Sequence, residues 1–294
     1  MRLLVHHTRL GFVEARPQVQ IVFLMRFVAG VMLCAPGAHE LGRAVVGAVA
    51  WFCATVAVYV FNGVADRAED VANGSSRPIA RGDLPVRSAV RLCVALSAAA
   101  CAGSTWLGVR VLFVMALYLI LGYCYSGPPF PFKLRYYSTS IGGGALGLLT
   151  YLGGALATVD RFTPVLMVYA GMMSLWMGAV VGIAKDLSDV AGDRAAGRRS
   201  WPVVLGERRA RLALRCAAVA VAVSFAVASA VSETRILLCA GAVLLGAAVV
   251  VLASVDPGRG ADRARRRLPY RAFMWTQYLS HAVLAAVWGG FLPA

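Results

Sequence analysis

Asn62-Gly-Val-Ala-Asp-Arg-Ala-Glu-Asp-Val-Ala-Asn-Gly-Ser-Ser-Arg-Pro78 closes an apolar run over 44–64. Asn62, Asp66 and Asp70 stand at i, i+4 and i+8, so a helix puts them on one face. A second such stretch runs from Lys185 to Pro202, K-D-L-S-D-V-A-G-D-R-A-A-G-R-R-S-W-P. There Asp186, Asp189 and Asp193 take i, i+3 and i+7, again one face. Like charges stacked on a helix repel, so each stripe calls for a counter-charge. Mg²⁺ is the expected partner, because it takes carboxylate and phosphate oxygens and bridges to phosphorylated substrates. The nearby cations Arg67, Arg77, Lys185, Arg194, Arg198 and Arg199 suit a polyanionic substrate. The bland alternative is a pair of solvated loops, which two matching stripes disfavour.

Outside these stretches the chain is a membrane scaffold. Its 294 residues are 60% hydrophobic with a mean hydropathy of +0.71, against about 45–50% apolar residues in soluble domains. Nine apolar runs approach or exceed the length a bilayer needs: 19–38, 44–64, 87–108, 110–126, 138–159, 162–184, 210–231, 235–254 and 271–292. The expected breaks within the longest stretches are Gly108-Val109-Arg110 and Ser232-Glu233-Thr234-Arg235. The net charge of +15 is concentrated in loops. With a cytoplasmic N-terminus, 24 of the 29 Lys and Arg fall on the cytoplasmic side, 4 fall outside, and Arg26 lies within a span. That bias orients the chain. It puts both Asp stripes in the cytoplasm and the C-terminal Phe291-Leu-Pro-Ala294 outside. No basic stripe interleaved with aromatics exists to read nucleic acid. The seven cysteines lie scattered in apolar segments without a C-x-x-C pair, as buried small hydrophobes do.

The two stripes also repeat in context. Each follows an apolar run and precedes P-x-x-x-G, Pro78-Ile-Ala-Arg-Gly82 and Pro202-Val-Val-Leu-Gly206. A single domain over 1–294 is expected, with pseudo-repeated halves at about 15–135 and 136–254 and a ninth helix at 271–292. A third cytoplasmic segment, Tyr123-Cys-Tyr-Ser-Gly-Pro-Pro-Phe-Pro-Phe-Lys-Leu-Arg135, ends a helix at its prolines and holds Lys133 and Arg135 near the membrane surface.

These residues resemble the UbiA superfamily of intramembrane prenyltransferases. N-x-x-x-D-x-x-x-D with a following Arg-Pro and Gly is matched by Asn62, Asp66, Asp70, Arg77-Pro78 and Gly82. D-x-x-D-x-x-G-D with G-x-x-[ST]-x-P-x-x-x-G is matched by Asp186, Asp189, Gly192, Asp193, Gly197, Ser200, Pro202 and Gly206. Tyr125-Ser126, Pro128-Pro129 and Lys133 resemble the family's Y-S-x-P-P-x-x-x-K, and Arg16-Pro17 resembles the Arg-Pro that opens the first span. One position departs: many members carry Asp directly after the Asn, and this chain has Gly63.

The resemblance implies an all-α membrane protein, nine transmembrane helices around a central cavity with cytoplasmic cap loops. It implies two Mg²⁺ ions held by Asn62, Asp66, Asp70, Asp186, Asp189 and Asp193. The prenyl donor would be an allylic isoprenyl diphosphate, its diphosphate gripped by Arg16, Arg67, Arg77, Lys133, Lys185, Arg198 and Arg199. Asp66, Asp70, Asp186, Asp189, Arg67 and Lys133 form the expected catalytic set. The acceptor would be a small aromatic, hydroxybenzoate-like or a quinone precursor, with Arg26 and Tyr123 as its contacts and no obligate protein partner. Tyr59, Tyr118, Tyr123 and Tyr151 are candidates to face an allylic cation. Arg26 is buried mid-span at a cost that marks function by default; pairing with Glu14 or Glu40, or snorkelling, are the alternatives. The expected setting is a bacterial plasma membrane. A terpene cyclase of the same superfamily is the nearest competing reading. A carboxylate-lined transporter is another, disfavoured because the polar stripes sit at span ends and not at the midplane.

Overall fold

Pro17 sets the first corner of the molecule. A computed structural model describes residues 2–34, 40–72, 74–159, 161–256, 258 and 262–290, the side chains of residues 2–5 aside. Residues 35–38 of the first expected span, His39 and the 291–294 end lie outside the described residues. Helix α1 (Arg2–Glu14) stops before Pro17, and α2 (Pro17–Met32) starts on it. A residue before proline is pushed out of the α region, and Arg16 adopts φ 59°. The two helices meet at 75°, and the Gln20 amide donates to the Ala15 carbonyl at 2.8 Å across the corner.

The remaining helices follow the apolar runs: α3 (Leu41–Ala65), α4 (Arg67–Ala72), α5 (Pro78–Arg81), α6 (Val86–Leu107), α7 (Val109–Ser126), α8 (Tyr136–Thr158), α9 (Pro164–Leu175), α10 (Gly182–Asp186), α11 (Val190–Ala195), α12 (Trp201–Leu205), α13 (Glu207–Ser232), α14 (Leu237–Ala253), α15 (Arg263–Arg266) and α16 (Leu268–Trp288). A π-helical turn at Trp176–Val181 joins α9 to α10 into one rod. The expected breaks fall where the sequence puts them, Gly108 between α6 and α7 and Glu233 after α13. No strand occurs among the described residues, only an isolated bridge between Arg135 and Arg199.

Seven of these rods are long and apolar enough to cross a membrane, and the bent α1–α2 pair makes an eighth if counted as one span. The ninth expected segment, α16, fails that test for a physical reason. It carries Thr276, Gln277, Ser280 and His281, all buried, and these polar residues lower its mean hydropathy.

The chain forms two compact units, Met1–Phe132 with Leu149–Arg161, and Lys133–Leu148 with Phe162–Ala294. In the first, α3 packs chiefly on α6, with α1, α2 and α7 also against it. Ala15, Val56, Val60, Ile79, Leu84, Ala89 and Cys93 form one buried cluster there. At the other end of α3, Arg43 donates to the last-turn carbonyls of two helices, Leu107 at 2.7 Å and Ala157 at 3.1 Å. Such carbonyls have no partner within their own helix. Arg43→Ala is therefore expected to cost about 1–2 kcal/mol, read as a lower apparent Tm in detergent. Arg43→Lys should recover less than half, because one ammonium cannot reproduce a planar fork. In the second unit, α13 packs on α9, the π-turn and α14, and α14 packs on α16.

Candidate active site

The first Asp stripe survives a helix break. Asp66 is the C-cap of α3, and α4 begins at the next residue. The i→i−4 bonds continue through it, Asp66 N–H to Asn62 O and Asp70 N–H to Asp66 O, both 2.8 Å. The expected single face is thus kept on two short-coupled helices. Asn62 is anchored at the end of α7, its amide donating to Ser126 Oγ at 2.7 Å. That contact joins the first motif to the Tyr125-Ser126 segment.

Arg77 is buried among carboxylates. Its Nη1 donates to Asp70 Oδ2 at 2.8 Å, its Nε lies 2.7 Å from Glu14 Oε1, and its Nη2 reaches the Glu14 carbonyl at 3.3 Å. Glu14 Oε2 accepts from the Ile79 N–H at 2.9 Å, and its side chain is fully buried. Sequence reasoning placed Arg77 on the diphosphate and offered Glu14 only as a mate for Arg26. In the structure Arg77 pairs with Glu14 and Asp70. The signal that could have found this pair is the glycine at 63, whose Cβ position is taken by Glu14. Arg67 is exposed beside the stripe.

The second stripe is more deeply set. Asp186 ends α10 and is 7% exposed, and Asp193 in α11 is 3% exposed. Asp193 Oδ2 is buried with no hydrogen-bond partner, and Arg198 Nη1 stands 3.8 Å from Asp193 Oδ1. Burial pushes the Asp193 carboxyl above its ordinary range, against the opposing pull of Ser200, Arg198 and Lys185. Asp189 is paired with Arg263 at 2.6 Å, a partner 74 residues away that the sequence does not reveal.

Lys133 reaches this loop through its backbone neighbours. Arg199 N–H donates to Leu134 O at 2.8 Å, and Tyr136 N–H donates to Arg199 O at 2.9 Å. Tyr136 and Trp201 meet edge to face at 4.6 Å, and the Trp201 indole donates to Ser140 Oγ at 3.3 Å. Within the second unit, residues 134–140 and the loop after the second Asp stripe are thus one bonded assembly. The P-x-x-x-G repeats also share a form. Each is one short helix with proline in its first turn, α5 and α12, closed by a glycine at φ 84° or 77°.

Arg26 is 1% exposed and sits in an aromatic cluster within the first unit. Its guanidinium lies 5.1 Å from the Phe23 ring centre and donates to the Tyr151 hydroxyl. Phe23 contacts Tyr59 at 5.9 Å and Tyr118 at 6.3 Å, and Trp51 contacts Tyr118 at 5.1 Å. Tyr118 and Tyr151 are fully buried, and the Tyr118 hydroxyl has no hydrogen-bond partner. Snorkelling is excluded by that burial, and Glu14 is taken by Arg77. Tyr123 stands apart from the cluster. Half exposed, it stacks on Phe61 at 5.2 Å and donates to the Pro128 carbonyl at 3.1 Å.

Among the described residues, no three His, Cys, Asp or Glu side chains form a ready metal cage. Mg²⁺ takes one or two carboxylates and completes its shell with phosphate oxygens and water. The buried Oδ2 of Asp193, which lacks a hydrogen-bond partner, is the observation that fits a divalent cation.

Digeranylgeranylglyceryl phosphate synthase of Halobacterium salinarum is 32% identical over 195 residues, and the match spans 65% of this chain and 65% of that enzyme's length. Lycopene elongase/hydratase of Haloferax volcanii is 33% identical over 261 residues, covering 86% of this chain and 81% of that protein. In structure, a UbiA homologue from Archaeoglobus fulgidus bound to GPP and Mg²⁺ superposes with a TM-score of 0.69 at 20% identity, over 94% of this chain and 99% of that one. The family model for UbiA prenyltransferases matches residues 23–277, which takes in both Asp stripes, the proline-rich segment and the long apolar helices. This integral membrane protein therefore belongs to the UbiA prenyltransferase family.

Proposed function

We propose that the chain is an Mg²⁺-dependent intramembrane prenyltransferase, moving an isoprenoid chain from an allylic diphosphate to a small aromatic acceptor. The observation that carries the reading is the paired motif chemistry: each unit ends a span in three oxygen-bearing side chains at helical spacing, and in one of them a buried carboxylate oxygen lacks a hydrogen-bond partner. The Archaeoglobus homologue holds GPP with Mg²⁺, which supports an allylic diphosphate as donor. In this reading α16 is the ninth span, its buried polar residues facing inward, and the positive-inside bias sets both motifs on the cytoplasmic side.

Mg²⁺, when bound, would neutralise the diphosphate and make it a better leaving group. Asn62, Asp66 and Asp70 in the first unit and Asp186, Asp189 and Asp193 in the second would hold it. Arg67 and Arg16 in the first unit, and Lys133, Lys185, Arg198 and Arg199 in the second, would grip the departing pyrophosphate. The allylic C–O bond breaks with its electron pair going to pyrophosphate. An electron-rich ring carbon of the acceptor then forms the new C–C bond and loses its proton. The apolar surroundings exclude water that would quench the cation.

Arg26 supports an anionic acceptor. A fully buried guanidinium among Phe23, Tyr118 and Tyr151 offers charge and ring faces together, which suits an aromatic carboxylate. Arg26→Gln is expected to raise the acceptor KM by about tenfold or more, leaving the donor KM near wild type. Equal shifts in both KM values would make Arg26 structural. The test of the whole reading is reconstituted protein with Mg²⁺, C10, C15 and C20 allylic diphosphates, and hydroxylated aromatic acids. Pyrophosphate release with a prenylated aromatic supports transfer. Hydrocarbon or terpene alcohol without acceptor makes it a cyclase. No release in folded protein, with lipid-linked acceptors also supplied, sinks the reading.

A further inference from the structure

Gly63 lies inside α3, one residue past Asn62, where a glycine costs about 1 kcal/mol relative to alanine. The reason for it is a neighbour from another helix. A Cβ built on Gly63 would land on Glu14 Oε1, and would stand 2.8 Å from Glu14 Cδ and 2.9 Å from Arg77 Nη2. The Glu14 carboxylate occupies the volume that a side chain at 63 would take. It arrives there because α1 ends at Glu14 and the corner at Arg16-Pro17 turns the chain away. Its two oxygens are engaged by Arg77 Nε at 2.7 Å and the Ile79 N–H at 2.9 Å, and Arg77 in turn holds Asp70 at 2.8 Å.

We propose that Glu14 is a positioning residue for the first Asp motif. It fixes the Arg77 guanidinium from one side so that Arg77 can fix Asp70 from the other. It supplies from α1 a carboxylate for which α3 has left the room. Glu14 touches neither donor nor acceptor in this role and acts only through Arg77. The role rests on the prenyltransferase reading above, because it assigns Asp70 to the diphosphate–metal site.

The two positions form a reciprocal pair, and that makes the test sharp. Glu14→Gln keeps the volume and removes the charge. Gly63→Asp forces a second carboxylate onto the first. Glu14→Ala with Gly63→Asp moves the carboxylate from α1 to α3. Two quantities are measured on purified protein in detergent: the ligand-free apparent Tm, and calorimetric binding of geranyl diphosphate in the presence of Mg²⁺. Glu14→Gln should weaken binding by about tenfold, the loss of one charge-assisted contact. Gly63→Asp alone should lower both Tm and affinity. The double variant should recover affinity to within about threefold of wild type and melt above either Glu14→Ala or Gly63→Asp.

Folded Glu14→Gln that binds as well as wild type overturns the role of Glu14 while leaving the prenyltransferase reading in place. A double variant no better than Gly63→Asp alone in both quantities overturns it too. Wild-type protein that binds no allylic diphosphate overturns the prenyltransferase reading, and the positioning role with it.

Discussion

In Asp193→Asn, prenyl transfer is expected to fall by about 10²–10³-fold, while the metal-free protein melts higher than wild type. Both halves follow from one observation. Asp193 is 3% exposed, and its Oδ2 lacks a hydrogen-bond partner. A buried charge without full compensation destabilises the fold that contains it, and asparagine keeps the shape while removing the charge. The same charge is what a divalent cation would use. Stability and activity therefore move in opposite directions, as at sites kept for function at a cost to the fold. The pH dependence has a definite sign. Burial raises the Asp193 carboxyl above its ordinary range. The penalty is thus absent below the unfolded pKa and develops as pH rises through the folded one. The Tm advantage of Asp193→Asn over wild type should shrink as the pH is lowered through that range. The checks are pyrophosphate release with an allylic diphosphate and acceptor, and melting in EDTA across pH. A variant that loses activity and melts lower at every pH would show Asp193 to be a structural carboxylate satisfied by Arg198.

Arg77→Ala is expected to be the most damaging single change in the first unit. Removing it leaves Glu14, fully buried, and Asp70, 19% exposed, without their shared cation. Breaking a buried pair by deleting one partner costs about 3–5 kcal/mol, because the remaining charge stays desolvated. In a chain of this size that is a fall of about 5–8 °C in apparent Tm. Arg77→Lys should rescue only in part. An ammonium can meet one carboxylate, whereas the guanidinium reaches Glu14 through Nε and Asp70 through Nη1. Arg77→Ala/Glu14→Gln should be milder than Arg77→Ala alone, since the orphaned charge is removed with its partner. If Arg77→Ala melts with wild type but loses diphosphate affinity, Arg77 is a direct anion ligand and the carboxylate network is incidental.

The sequence by itself determined the long apolar helices and two of the places where they stop. Apolar runs of bilayer length can bury their backbone polar groups only as helices, and Gly108 and Ser232–Arg235 interrupt them where α6 and α13 end. It also determined the first Asp face, because spacing on a helix is a local property and survives even the break at Asp66; the second stripe is divided between α10, Asp189 and α11. The family was legible for the same reason: its motifs are short and contiguous. Tertiary structure decided which charge meets which. The chain has 29 Lys and Arg, and nothing in their spacing says that Asp189 takes Arg263, that Asp70 and Glu14 share Arg77, or that the Lys133 segment is bonded to Arg199. Those pairings depend on which helix ends are brought side by side, and the packing of long rods fixes that. Gly63 shows the boundary between the two kinds of information. As a sequence feature it is a departure from a motif; in the fold it is the space into which a carboxylate from another helix is placed.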